Sequence, residues 1–188
     1  GANGGTIYFG GKNGYSAAEK VSHTFDTTTV TGNTAGNVVV GGKGTGASME
    51  AGADIVVDGV KIDSLVAGGA DGASVNGDIN VTVKSGTVAS LAGGKGGIHT
   101  GNTNITVENG SVANIYGGDQ HGGQINGDIS VNVKDGTVGT IYGANYVSTS
   151  EKASDFNGVN GNVKIDVNGG TVDHIRGGIN STNAGDAA

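Results

Sequence analysis

Four segments of the chain can be laid on one another almost residue for residue: Asn76–Gly94 (NGDINVTVKSGTVASLAGG), Thr100–Gly118 (TGNTNITVENGSVANIYGG), Asn126–Ala144 (NGDISVNVKDGTVGTIYGA) and Asn160–Gly178 (NGNVKIDVNGGTVDHIRGG). They start at residues 76, 100, 126 and 160, so the spacings are 24, 26 and 34. A unit of this length cannot bury an apolar face alone, so repeated units stack and share one continuous core.

The apolar positions coincide from copy to copy. Val81, Val83, Val88 and Leu91 correspond to Ile105, Val107, Val112 and Ile115, then to Val131, Val133, Val138 and Ile141, then to Ile165, Val167, Val172 and Ile175. A looser copy supplies Ile55, Val57, Ile62 and Leu65. The first pair alternates with period two, as a strand with one buried face does, and β-branched residues suit such a pleated surface. Between the pairs lies a turn: Ser85-Gly86, Asn109-Gly110, Asp135-Gly136 or Gly169-Gly170. Asn-Gly and Asp-Gly also suit two-residue hairpins, which in series would build an antiparallel sandwich or propeller blades. The strands after these turns are very short, end at a second glycine pair and recur in register, whereas a blade needs about 40 residues. The pattern predicts an all-β parallel β-solenoid of about six rungs. An antiparallel hairpin-repeat sandwich is the alternative.

Composition agrees with tight corners between short strands. Gly is 40 of 188 residues, about three times its usual share, and Pro, Cys and Trp are absent. Gly without Pro and without a three-residue period excludes collagen. A net charge of −7 with one arginine, Arg176, argues against nucleic acid and anionic membrane as partners. The absence of Cys removes disulfides and thiolate chemistry. No run of 18 apolar residues exists, so no helix inserts in a membrane. The start Gly1-Ala2-Asn3-Gly4-Gly5 is what removal of a leader leaves, and equally what trimming leaves.

The alignment stacks like on like. Asp78, Asn102, Asp128 and Asn162 form one corner column, and Thr87, Ser111, Thr137 and Thr171 another. Such side chains hydrogen-bond along the axis of a stacked assembly. The expected organisation is one domain over 1–188, with regular repeats over 53–178 and degenerate rungs or a cap over 1–52. A polar loop is inserted at 146–158 (YVSTSEKASDFNG), and a polar tail occupies 179–188. Within the first stretch, Thr6-Ile7-Tyr8 reads as a rung end and Gly36–Val40 as a rung start. Ser16–Val21 reads as a helical turn capped by Ser16 with Glu19 three residues on.

The run G-[DN]-[IV]-x-[VI]-x-V-x-x-G-[TS]-V-x-x-[IL]-[YA]-G-G resembles the degenerate repeats of bacterial surface and autotransporter-passenger proteins over residues 53–178. That resemblance implies a right-handed β-helix displayed outside the cell, secreted or on the surface, with an adhesive or fibrous role. It carries over no catalytic residue, and no translocator barrel accompanies the repeats.

Sites for chemistry are few. Gly41-Gly42-Lys43-Gly44 and Gly93-Gly94-Lys95-Gly96 begin like the calcium-binding nonapeptide G-G-x-G-x-D but lack its Asp. Gly69-Ala70-Asp71-Gly72 and Gly118-Asp119-Gln120-His121 are the remaining calcium candidates; neither is a full oxygen cage, and no other cofactor is expected. Asp78 and Asp128, two rungs apart, lie roughly 9.6 Å apart at about 4.8 Å per strand, near the separation of an inverting glycosidase pair. Asn102 between them and the lack of Trp favour a structural column, so no enzyme is expected. His99 takes the place of Val75, Ile125 and Val159 and reads as a partly buried corner residue, while His23, His121 and His174 share no metal-ligand spacing. Gly93–Gly97 precedes Ile98-His99-Thr100 and not a helix, which argues against a phosphate cradle. The outward column Asn80/Thr82, Asn104/Thr106, Ser130/Asn132 and Lys164/Asp166 reads as a solvated face more than an ice-binding array. Tyr8, Tyr116 and Tyr142 recur before glycine and point outward.

These readings predict an extracellular structural or adhesive solenoid that assembles end to end with copies of itself into a filament, with host or matrix glycans as possible further partners. The predicted assembly edge comprises Ile7 and Phe9 at one end and Ile165, Val167, Val172 and Ile175 at the other. The tail Ile179–Ala188 is too polar to cap a core. The alternatives are a fragment of a larger adhesin passenger and a carbohydrate-active β-helix enzyme.

Overall fold

The computed structural model of the protein describes residues 6–146 and 158–177. Its strands form three parallel sheets, each running the length of the molecule. The first sheet contains β1 (Thr6–Tyr8), β4 (Thr34–Val39), β7 (Lys61–Val66), β10 (Thr87–Gly94), β13 (Ser111–Asp119), β16 (Thr137–Tyr142) and β19 (Thr171–Arg176). The second contains β2 (Ser16–Ala17), β5 (Ser48–Met49), β8 (Ser74–Asn76), β11 (Ile98–Thr100), β14 (Gln124–Asn126) and β17 (Gly158–Val159). The third contains β3 (Val21–Phe25), β6 (Ala53–Val57), β9 (Ile79–Val83), β12 (Thr103–Val107), β15 (Ile129–Val133) and β18 (Val163–Val167). Each strand pairs with the strand three places away in sequence, so the chain winds through the sheets in turn. Six full rungs and one extra strand, β1, make a parallel β-solenoid.

The hairpin alternative fails on this pairing. The residues before and after each Asn-Gly or Asp-Gly turn enter different sheets, and every pairing between strands is parallel. Period two decides the third sheet, where β6, β9, β12 and β15 share one alternation of buried and half-buried residues. Inward side chains from all three sheets meet in one cluster running from Phe25 to Ile141. Val83, Val107 and Val133 stand in one column, each with no exposed surface.

The corner after the first sheet needs glycine for room. A Cβ on Gly68 would strike the carbonyl oxygen of Gly93, one on Gly93 that of Gly117, and one on Gly117 that of Gly143. The recurring glycine pair thus reflects close axial approach of main chain to main chain. At Gly136, φ of +88° adds a second reason.

Two readings of residues 1–52 need correction. Ser16–Val21 forms no helical turn: Ser16 and Ala17 are strand β2, and Val21 begins β3. Ser16 instead joins a like-on-like column, with its hydroxyl 2.8 Å from that of Ser48. Gly36–Val40 is the end of a rung and not its start, since Val38 and Val39 pair with Leu65 and Val66 of the first sheet. Thr6-Ile7-Tyr8 is a rung end as expected, in register with Asn37-Val38-Val39. The inserted loop, apart from Tyr146 and Gly158, and the tail 179–188 lie outside the described residues.

Replacing Val107 with Asp places a carboxylate between two valines with no partner, and should cost several kcal/mol. Urea unfolding followed by circular dichroism checks this; parent-like stability would show that Val107 does not face the core.

Candidate functional site

The acidic side chains serve the backbone. In the first corner column, Asn102 N donates to Asp78 Oδ1 at 2.8 Å, Asp128 N to Asn102 Oδ1 at 2.9 Å and Asn162 N to Asp128 Oδ1 at 2.7 Å. Each carboxylate or amide oxygen thus closes the next rung's corner. Asp78 and Asp128 are members of this ladder. The second column is bonded in the same way at Thr137 Oγ1 to Ser111 Oγ, 3.1 Å.

Asp119 shows the same use in stronger form. It has no exposed surface, and its carboxylate accepts N–H bonds from Gly96 (2.9 Å), His121 (2.7 Å) and Gly123 (2.9 Å). Its own N–H donates to Asn145 Oδ1 at 2.8 Å. The calcium candidate Gly118–His121 therefore has its carboxylate turned inward and committed to main-chain donors. In the other candidate, Asp71 forms a solvent-facing ion pair with Lys43 at 3.0 Å. Among the described residues, no group of three or more His, Asp or Glu gathers as a metal site. Sequence periodicity gave no sign of Asp119, because it answers to no like residue in neighbouring rungs.

His99 occupies the Val75/Ile125 column as expected, but it is fully buried and not partly so. Its Nε2–H donates to the Gly77 carbonyl at 2.9 Å, which leaves Nδ1 to accept from the Thr103 hydroxyl at 3.0 Å. Burial pushes the imidazole pKa below its ordinary value, so the ring is held neutral. Thr103, too, replaces an isoleucine found in its column at Ile79 and Ile129. The pair is a polar inclusion in an apolar stack.

On the outer face of the first sheet, Tyr116 and Tyr142 stack with centroids 4.9 Å apart and planes 6° apart. Tyr146 meets both edge-on, and Arg176 lies 5.7 Å over Tyr142. Burial raises the pKa of the Tyr116 phenol. Tyr8 belongs to the same column at its far end, beyond Val39, Val66 and Ala92. On the third sheet, the outward amides bond to each other: Asn104 Nδ2 to Asn80 Oδ1 at 2.9 Å and Asn80 Nδ2 to Asp54 Oδ1 at 2.7 Å.

The predicted edge residues lie at the two ends of the solenoid. Ile165 and Val167 are in β18, Val172 and Ile175 in β19, Ile7 in β1, and Phe9 follows it. Ile7 and Ile175 are the two ends of a single column, 42% and 52% exposed, whose inner members Val38, Leu65, Leu91, Ile115 and Ile141 are wholly buried. Phe9, His23 and Phe25 close part of the first end as a ring cluster with centroids 4.5–5.9 Å apart. Comparison with protein-family models, curated proteins and solved structures returns no match to this chain.

The pH dependence of stability should isolate His99. Its folded pKa lies below the unfolded 6.5, so the unfolded chain takes up the proton first. Stability should fall as pH drops below about 6.5 and level off once the folded pKa is passed. Asp26, held at about 2 first by the Thr28 hydroxyl and also by main-chain N–H groups, contributes only at more acid pH, losing its effect as pH falls below 3.8. His99→Val with Thr103→Ile, which restores the neighbouring columns, should remove the step near neutrality. Melting curves from pH 7.5 to 5 decide; an unchanged step in the double variant would exonerate His99.

Asp119→Ala should lose about 3 kcal/mol or more, because three main-chain donors lose a charged acceptor. Chelator should leave the parent's melting temperature in place, since the same carboxylate is already saturated by protein donors. A fall of many degrees in chelator would instead assign Asp119 to a bound ion.

Proposed function

We propose that the chain is an extracellular structural element, adhesive or fibre-forming and without catalytic activity, whose copies associate head to tail through their terminal rungs. One observation supports this above the rest. The last rung repeats the core pattern of the inner rungs, yet Val167 is 43% exposed against none for its column neighbour Val133, and Ile175 52% against none for Ile141. Among the described residues, a rung built for burial on both sides has a strand neighbour on one side only. Among the described residues no further strand pairs with its outer edge, and Val163–Gly178 carries no proline and no run of charge.

A second copy can continue the first sheet in the existing register. That register sets Thr6 beside His174, Ile7 beside Ile175 and Tyr8 beside Arg176. Ile7 and Ile175 would then be buried as their inner counterparts are, and Arg176 would lie between Tyr142 and Tyr8. Among the described residues the first sheet has seven strands and the others six, so when β1 of a second copy follows β19 in register the other two sheets are one strand short at the junction. Strand-to-strand contact between copies is therefore made through the first sheet alone. The contact is heterologous and does not close, which gives a filament with strands across its axis. The absence of catalysis is supported by the use of Asp78, Asp128 and Asp119 as backbone acceptors.

Sedimentation velocity over a wide concentration range tests this. The parent should associate progressively, and Val172→Lys with Ile175→Lys should sediment as a monomer with an unchanged strand spectrum. A monodisperse parent monomer at high concentration would sink the proposal and assign the open edge to further chain of a longer passenger.

A further inference from the structure

We infer that the outer face of the first sheet binds an acidic polysaccharide strand along the solenoid axis, anchored at a lysine-walled cavity between Tyr8 and Lys95. The site takes Thr6 and Tyr8 from the terminal strand β1 and the rest of its lining from inner rungs, and it does not rest on assembly.

The glycine-pair corners create the cavity. After the first sheet the chain runs Gly10-Gly11-Lys12, Gly41-Gly42-Lys43 and Gly93-Gly94-Lys95, and these corners stack by main-chain bonds along the axis. Lys43 N donates to Gly11 O at 3.1 Å, Gly44 N to Ala70 O at 3.0 Å, and Lys95 N to Gly69 O at 2.9 Å. The corners flank the sheet's outer face, so that Lys43 and Lys95 form one wall of a cavity with Asp71. Its floor is apolar: Val39, Val66 and Ala70 form a small buried cluster against which Tyr8 packs. Its opposite side is the outward row Thr6, Asn37 and Ser64, one small hydrogen-bonding group per rung.

Each component points to one ligand chemistry. The chain carries ten Lys and Arg against seventeen Asp and Glu, yet two lysines converge here and Lys12 pairs with Lys43 in the same column. Lys95 makes no ion pair among the described residues, and the Lys43–Asp71 pair is open to solvent, with side chains 41% and 55% exposed. An exposed pair of this kind contributes little and exchanges readily for a ligand carboxylate. The hydroxyl and amide row continues past the cavity as Ser90, Asn114 and Thr140, spaced by about 4.8 Å per rung. A row of neutral donors and acceptors at fixed steps fits a chain of hydroxyl-bearing units better than a single small anion. Beside it, on the same line, stand the half-buried Tyr116 and Tyr142, stacked on each other. Cationic wall, apolar floor and polar row together describe a uronate-containing glycan. A nucleic acid would need far more positive charge than three lysines on a chain of net −7.

Alginate oligomers, and the same oligomers with their carboxyl groups reduced to alcohols, are the probes, titrated calorimetrically at low and at physiological salt. The parent should bind the acid form and not the reduced form, more weakly as salt rises. Lys43→Gln with Lys95→Gln should weaken binding about tenfold or more. Lys84→Gln, on an exposed corner away from this face, should bind as the parent does. Lys95→Glu serves as a second variant that breaks no ion pair, and should abolish binding while keeping the parent's melting temperature. Absence of parent binding, equal binding of the reduced oligomers, or full binding by either lysine variant would overturn the inference.

Discussion

Every strand of this solenoid finds its hydrogen-bond partners one rung away along the axis and never in its sequence neighbour. A residue's surroundings are then set by its counterparts above and below, at about 4.8 Å, more than by the residues beside it in the chain. The inward columns show what this demands. Val81, Ile105 and Val131 share one column and Leu91, Ile115 and Ile141 another, each filled by aliphatic side chains of nearly equal size. A larger or charged residue at one level would press on two neighbours that cannot move apart without breaking main-chain bonds. The same constraint produces the glycine columns, where the adjacent rung's carbonyls leave no space for a Cβ.

Polar columns face a further problem, since identical charges would stack directly on each other. The corner column avoids this by alternation: Asp78, Asn102, Asp128, Asn162. Each carboxylate is flanked by amides and never by another carboxylate, while both residue types present the same Oδ1 to the next main-chain N–H. On the third sheet Asp54 is followed by Asn80 and Asn104, with Lys20 balancing the charge at 2.8 Å. These two columns thus hold their acids in register without stacking one carboxylate on another.

The same column logic explains which features were legible in the sequence. The regular rungs were visible because their inward positions repeat, and so were the Asp/Asn ladder and the place of His99. Ser16–Val21 was misread because Ser-x-x-Glu is a local helix signal, whereas the interaction that holds Ser16 is with Ser48, 32 residues away. Gly36–Val40 was misplaced because a run of three valines fits the pattern of either strand, and only its partner Leu65-Val66 fixes the phase. Asp119 left no periodic trace, and of the Lys43–Asp71–Lys95 cavity only the recurring Gly-Gly-Lys of its corners was visible. Both occupy corners where the main chain repeats and most side chains do not. Periodicity reports what must be the same in every rung, and is silent about what one rung does alone.

That silence locates where function can vary. The inward columns are bound to repeat, the Asp/Asn corner is committed to the backbone, and the third sheet's amides bond to one another. The outer face of the first sheet is different, because its column reads Tyr8, Val39, Val66, Ala92, Tyr116, Tyr142, Arg176 with no constraint of likeness. Its variation is tolerated because these side chains lie outside the main inward cluster. Both ends of that column are also the two ends of the first sheet as described, β1 and β19. Axial stacking and lateral binding would therefore share one face, with a ligand strand running on from Tyr142 and Arg176 of one copy to Tyr8 of the next.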